Sequence, residues 1–488
     1  MIVNGAYRQG RTPGSVDPLT GKVSSELELN PYSYALNTSR TLDPTVAYRY
    51  RYAPMNIFEE LENNYTDSHI GDIKIQGRLS WLITPKIEAT ALGAIKYQSI
   101  SHELNQTEQS NIARAYRAAD NLNMIKNNEY LYEDPYDDFD VRRTVLPEGG
   151  IREKSESLLS GKDFRATLSY KDAFDEGKHK LQLLGGMETN DTYRSKDWGK
   201  NFGLMYELGE ISYFSYEAFK QIQESKSPNY YTVSRTTTRN AAFFSNAAYT
   251  FLDRYTLEGI FRYDGTNKFG ASRYIRWMPT WNVGVNWSVS NEKFFPRLKP
   301  LSHLSFKASF GITAISPSVS NSLSQIYTNM PWRNSSKREI GLNIVDNANH
   351  DLTYEKNQEL NLGTQFGLFN NRINVSAEWF NRRSYDLIGN IVTQGVGGTI
   401  TKKGNMAELR IRGVELGLET TNIKTKDFSW KTSFIYSRSK NEITKLLTNP
   451  TVRNMIGYSS SSKSVAGFAK EGYPLRSIFS VPFNGLND

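Results

Sequence analysis

A chain of 488 residues exceeds one small core and calls for several domains, a repeat array or one large barrel. Apolar residues reach only 38% while aromatics reach 12% (29 Tyr, 24 Phe, 8 Trp), a balance foreign to a cytosolic enzyme and normal for an outer-membrane barrel. Cysteine is absent, which excludes disulfides, a thiolate nucleophile and Cys-based metal sites; the net charge of +8 is spread among mixed signs and lacks the basic stripe of a nucleic-acid binder.

Residues 1–71 are tyrosine-rich and read as a loop-rich segment with uncertain strands, broken by Pro13, Pro18, Pro31, Pro44 and Pro54. The opening "MIVNGAYRQGRTPG" has no apolar core of the signal-peptide kind, and no run of about 20 apolar residues predicts a membrane helix. The first clear hairpin is 73–83 with 87–97. Ile73, Ile75, Leu79 and Trp81 alternate with Lys74, Gln76, Arg78 and Ser80 before the turn at Thr84-Pro85-Lys86. A long polar stretch follows at 98–161, in which 105–126 reads as a surface helix.

The next pair is 163–170 with 179–189, and a second long segment runs over 190–241. Residues 242–289 then give three strands. Phe243, Ala247, Tyr249 and Phe251 share one parity. After Leu252-Asp253-Arg254, Tyr255, Leu257, Phe261 and Tyr263 oppose Glu258, Arg262 and Asp264. In the third strand Trp281, Val283, Val285 and Trp287 oppose Asn282, Gly284 and Asn286. Period two of this kind means strands with one apolar and one polar face. A strand at 301–311, a polar loop to about 356, a hairpin turning at 369–372, a loop at 384–410 and a last pair, 411–420 with 428–438, complete the pattern. Residues 439–488 are a further barrel or loop segment.

Short connections (near 84, 171–178, 252–254, 369–372, 421–427) thus alternate with long ones (98–161, 190–241, 312–356, 384–410). Long loops are exceptional in a compact soluble domain but regular in an outer-membrane barrel, which has short periplasmic turns and long extracellular loops. A propeller would show a fixed repeat of about 40–50 residues, and the hairpin spacing here is irregular. A large soluble β-protein remains the competing reading. The expected fold class is all-β: a transmembrane antiparallel β-barrel, with 72–438 as its strands and about 12–14 strands in this chain.

Several stretches carry more than a pattern: "YTLEGIFRYDGTNKFG" (255–270), "WNVGVNWSVSNEKFF" (281–295), "LSFKASFGITA" (304–314), "YEKNQELNLGTQFGLFNNRINVSAEWFNRRSYDLI" (354–388), "GVELGLET" with "FSWKTSFIYSRSKNEI" (413–443), and "EGYPLRSIF" (471–479). In family order, and over about 70–488, they resemble the barrel of SusC/RagA-type TonB-dependent transporters of Bacteroidetes. That resemblance implies a barrel of 22 strands with a plug and a TonB-contacting segment. Neither is recognisable here, so the expectation is a central, truncated portion of the barrel, with an independent smaller pore as the alternative. It also implies the cell outer membrane with its lipid and lipopolysaccharide, a SusD-like surface lipoprotein as lid, TonB as a partner through the missing N-terminal region, and import of glycan or peptide fragments.

Residues singled out each admit two readings. Arg262, Asp264, Lys268 and Arg273 suit ligand or lid contact, or ordinary ion pairs on a wall; Glu258 with Arg262 and Glu359 with Lys356 read as wall pairs. Gly363, Gly367, Gly413 and Gly417 on the polar parity either make room for a packed plug or are tolerated at a wet face. Trp81, Trp281, Trp287, Trp379 and Trp430 form a girdle or a sheet core. "EDPYDDFD" from Glu133 lacks calcium-loop spacing and reads as an acidic surface loop, and "GVGG" (395–398) is no nucleotide loop. His69, His102, His179, His303 and His350 are dispersed. The expectation is no catalytic, cofactor-binding or metal residue, no cofactor, no nucleic acid and no enzyme. Beside import stand a scaffold role within a larger outer-membrane complex, binding other outer-membrane proteins, and a soluble glycan-binding protein.

Overall fold

The alternating segments become hydrogen-bonded strands in the computed structural model, which describes residues 1–13, 15–16, 23–24, 36, 38–134, 141–213, 215–224, 230–269, 273–295, 300–316, 325–329, 341–346, 348–395, 401–448, 469–479 and 485. Thirteen strands lie in one antiparallel path: β1 (Ile2–Pro13), β2 (Asn64–Thr84), β3 (Ile87–Gln106), β4 (Gly150–Phe174), β5 (His179–Met205), β6 (Tyr231–Phe251), β7 (Tyr255–Thr266), β8 (Trp277–Ser288), β9 (Leu301–Ile315), β10 (Glu355–Leu368), β11 (Ile373–Val392), β12 (Thr401–Lys424) and β13 (Ser429–Leu446). Each neighbours the next in chain order, with Ile211–Ser212 as a short addition on β5. Among the described residues, the outer sides of β1 and β13 have no partner strand.

Register keeps the faces in phase. Phe251, Tyr255, Trp287, Phe306, Thr364, Ala377, Leu416 and Tyr436 form one lateral row across eight strands. A one-residue slip anywhere would put apolar side chains on the polar face. Tight turns pin that register. Leu252 and Asp253 both take positive φ (53° and 55°), and Arg254 N–H donates to Phe251 O at 3.0 Å, the backbone of a type I′ turn. Adjacent turns are also laced together: Leu252 N–H donates to Lys178 O, and Ser288 N–H to Arg254 O, both at 2.7 Å.

Three expectations change. The strands outrun their visible alternation, so the connections expected at 98–161, 190–241 and 384–410 shrink to 107–149, 206–230 and 393–400. Residues 1–71 hold a full strand, β1, paired with β2 from Ile2↔Gln76 to Pro13↔Tyr65. The expected surface helix is instead two short helices, α2 (Asn111–Arg117) and α3 (Leu122–Asn127), following α1 (Ile57–Asn63) in chain order. α2 is not a surface helix, because Asn111, Ile112, Ala113 and Ala115 are buried.

The chain divides into two units. One comprises Met1–Gly77, Gly93–Asp163 and Asp191–Thr237; the other comprises Arg78–Leu92, Phe164–Asn190 and Thr238–Asp488. The first holds α1 to α3, α4 (Tyr216–Glu224) and small cores around Ile112, Leu146 and Ile151 and around Tyr132, Val145 and Ala218. The second is mostly strand wall, with a small core of Phe269, Leu352 and Tyr354 among the described residues.

Candidate functional site: a two-faced wall and a folded loop cluster

On the polar parity of the second unit, charged side chains pair sideways across strands. Arg262 Nε donates to Asp264 at 2.7 Å and its Nη2 donates to Glu188, which Arg165 also approaches at 3.9 Å. Both guanidiniums stand near the ring of Phe244, at 4.8 and 5.8 Å from its centroid, a cation–π arrangement. Of the four residues grouped by sequence, Arg262 and Asp264 thus meet; Lys268 lies past the strand end and the Arg273 side chain falls outside the described residues. Glu188, Arg165 and Phe244 were missed, since only lateral register brings them together.

Two pairs expected within single strands are corrected. Arg262 takes Glu188 and Asp264 rather than Glu258, Glu359 accepts from Arg382 at 2.5 Å, and Lys356 reaches Asp386 at 2.6 Å. The reason is geometric. Residues four apart on a strand are separated by about 13 Å, and residues three apart point to opposite faces. The strand glycines also find a use. Lys307 crosses Gly363 to reach Glu378 at 2.9 Å, and an added Cβ at Gly363 would strike the Lys307 stem. Gly413 and Gly417 make room in the same way for Phe380 and Ser376.

The apolar parity is exposed: Trp81, Trp281, Trp287, Trp379 and Trp430 keep between 36% and 65% of their surface accessible, which removes the sheet-core reading. Aromatics gather at two levels. Near the short turns, Tyr255 stacks with Trp287, and His179 stacks on Phe174 while bonding Tyr249 OH at 2.6 Å. Tyr255 OH and Trp287 Nε1 both donate to Glu292, at 2.5 and 3.2 Å. Toward the other strand end, Phe243 and Tyr263 flank Trp277. From Tyr255 to Tyr263 is about 26 Å along the strand, or about 20 Å once tilted by ~40°, which suits the apolar band of an outer-membrane wall.

The loop cluster of the first unit is a polar-cored fold. Asn56 caps α1 and Ser110 caps α2. Glu60, 2% exposed, accepts from Asn111 N–H at 2.7 Å and Asn64 Nδ2 at 2.9 Å. Burial pushes its carboxyl above the usual range. Asn111 Nδ2 donates to Tyr50 O, Ala53 O and Pro54 O, and Arg117 donates to the carbonyls of Leu146, Glu108 and Gly149. Burial, with Glu153 nearby, pushes the Tyr116 phenol up to about 12.

Histidines meet serines twice, His102 with Ser68 at 2.8 Å and His303 with Ser290 at 3.0 Å. Ser290 Oγ is itself tied to Leu304 N and O, so it clamps a strand end rather than serving as a nucleophile. In the acidic stretch, Glu133 pairs with Arg142 and Asp134 with Lys220, and 135–140 lie outside the described residues. Of "GVGG" only Gly395 is described, at φ 76°. Among the described residues no cluster of three His, Asp or Glu is placed to hold a metal.

The family model "TonB dependent receptor-like, beta-barrel" matches residues 20–478. The chain is similar to TonB-dependent receptor P3 of Formosa agariphila, 24% identical over 82% of this chain and 38% of the relative. It is also similar to TonB-dependent receptor SusC of Bacteroides thetaiotaomicron, 26% identical over 43% of this chain and 21% of the relative. The chain therefore spans about two-fifths or less of the curated relatives it matches. Among solved structures, the RagAB peptide importer in its closed-closed state superposes with a TM-score of 0.65 at 21% identity, covering 84% of this chain and 41% of that one, a likeness of fold. An exposed apolar band between two aromatic levels, a polar opposite face and a family match over nearly the whole chain agree: this is an outer-membrane protein and a member of the TonB-dependent receptor-like β-barrel family.

Proposed function

We propose that the chain forms part of the wall of a closed, family-type 22-stranded barrel in an active importer. In this reading the polar parity lines the passage. The observation that carries the reading is the two-faced wall: Trp281, Val283, Val285 and Trp287 on one side, Arg262, Glu188, Lys307 and Glu378 on the other, in one unbroken register. Cargo is a glycan or peptide fragment. It is captured under a SusD-like lipoprotein lid and released inward when TonB acts on a segment beyond the wall. The resemblance to SusC/RagA-type transporters is what suggests both cargo classes and the lid, and the peptide class agrees with the likeness in fold to the RagAB peptide importer.

Uptake of a labelled oligosaccharide panel and a labelled peptide mixture should be compared in cells with and without the complete receptor, with and without an energised inner membrane. Receptor-dependent, energy-dependent uptake of one class is expected. Unchanged uptake of every probe on deletion, together with copurification of several outer-membrane proteins, would favour the scaffold reading instead.

A further inference from the structure

On the polar parity of the first unit, some cations are matched by carboxylates. Lys200 pairs with Glu153 at 2.6 Å, and Lys96 pairs with Asp72 at 3.6 Å. Arg194 and Lys196 differ. They share a strand face with Lys200, being three and two pairs of residues before it on β5, yet no carboxylate of the described residues pairs with either. Both line a cavity of about 300 Å³ whose other walls include the hydroxyls of Ser157, Ser234 and Thr236 and the amide of Gln98. That volume is at the small end of ligand pockets, room for one monomer unit rather than a whole chain.

Two unmatched cations beside hydroxyl and amide groups, in a cavity otherwise walled by Ile100, Leu158 and Leu159, recognise an anion. The guanidinium offers a planar fork, the ammonium a compact charge, and the hydroxyls fill the remaining lone pairs. We propose that this cavity is an anion subsite for cargo, accepting a carboxylate or sulfate group carried on a sugar or amino-acid unit. The proposal rests on the polar parity facing the passage, and it makes the cargo of this receptor acidic.

The absence of native cysteine allows a direct test in the complete receptor. Ser157→Cys would be labelled in outer-membrane preparations with a sulfonate-bearing and an ammonium-bearing methanethiosulfonate of similar size. The sulfonate should react faster by about tenfold, the size expected of two unit charges some 6 Å away in a wet site. In an Arg194→Gln/Lys196→Gln background the preference should vanish. Trigalacturonate and inorganic sulfate should slow the labelling, and maltotriose should not. Equal rates for the two reagents, or a preference that survives the double substitution, would overturn the subsite and leave the passage reading intact. If neither water-soluble reagent labels Ser157→Cys while a lipid-soluble maleimide does, the face is not a passage wall and the underlying reading falls with it. Selection by carboxylate and by sulfate separate in the competition: protection by trigalacturonate alone assigns a carboxylate, protection by sulfate alone a sulfate ester, and protection by neither overturns the proposal.

Discussion

At Glu60, burial and hydrogen bonding pull in opposite directions. Desolvation favours the neutral acid, while Asn111 N–H and Asn64 Nδ2 favour the carboxylate, and the net effect is a pKa above the ordinary carboxylate range. The folded loop cluster then holds its proton more tightly than the unfolded chain. Its stability falls as pH rises from about 4.5 through the raised value. Glu60→Gln, which keeps the shape without the charge, should flatten that dependence, whereas Glu60→Ala should destabilise by about 1–3 kcal/mol through the orphaned Asn111 amide. Melting of the loop cluster against pH, read for all three proteins, checks this; a Gln variant that keeps the wild-type slope would refute it. Gly150 makes a second residue-scale case. A Cβ there would collide with the backbone of Gln106 and Thr107, not with a movable side chain. Gly150→Ala should therefore loosen the cluster, seen as faster proteolysis within 107–149, while Gly363→Ala, which meets only the flexible Lys307, should cost under about 1 kcal/mol. The apolar tryptophans were legible from parity because hydrophobicity itself alternates. Phe244 was not, because its role depends on two arginines brought beside it by neighbouring strands.

Among the elements, hairpins were legible only over the middle of each strand. Between the two aromatic levels one face meets lipid and the other water, so composition must alternate. Beyond them both faces are wet, and the ladder of β5 from Asn190 to Met205 or of β4 from Gly150 to Lys162 continues without an apolar signal. The first-unit helices were hard to read for a different reason. They bury side-chain amides against backbone carbonyls and the Glu60 carboxylate against N–H donors, so α2 has no broad apolar stripe to announce that it is packed. Faces in the alternating zone lead to a sharp expectation for β8. Val283→Arg, on the exposed apolar parity near mid-band, should cost about 2–4 kcal/mol, and Asn282→Arg one residue away should cost close to nothing. Unfolding of the complete receptor by urea from lipid vesicles measures both. Equal costs would mean that the two faces of β8 see the same medium.

For the whole molecule, the sheet order is the strongest statement available. Every described wall strand neighbours the next in sequence, and the two outermost, β1 and β13, each have one side without a partner strand among the described residues, although Ile443 of β13 exchanges backbone hydrogen bonds with Gly472 and Tyr473. Unpaired amides and carbonyls are costly in lipid, and a spanning sheet avoids them only by closing. Either β1 meets β13 in a smaller pore, or further strands stand between them as the family resemblance implies. Sequence could raise this alternative but not decide it, because edge strands carry the same alternation as interior ones; β13 shows it through Trp430, Phe434 and Tyr436. Amide hydrogen exchange separates the two outcomes. In the complete receptor, amides along both strands should be protected throughout. In the present chain refolded alone in detergent, every second amide of β1, and of β13 before Ile443, should exchange within minutes, while those of β7 and β8, paired on both sides, stay protected. Full protection of β1 and β13 in the isolated chain would show that they pair with each other, and the 22-stranded wall would have to be abandoned for a thirteen-stranded one.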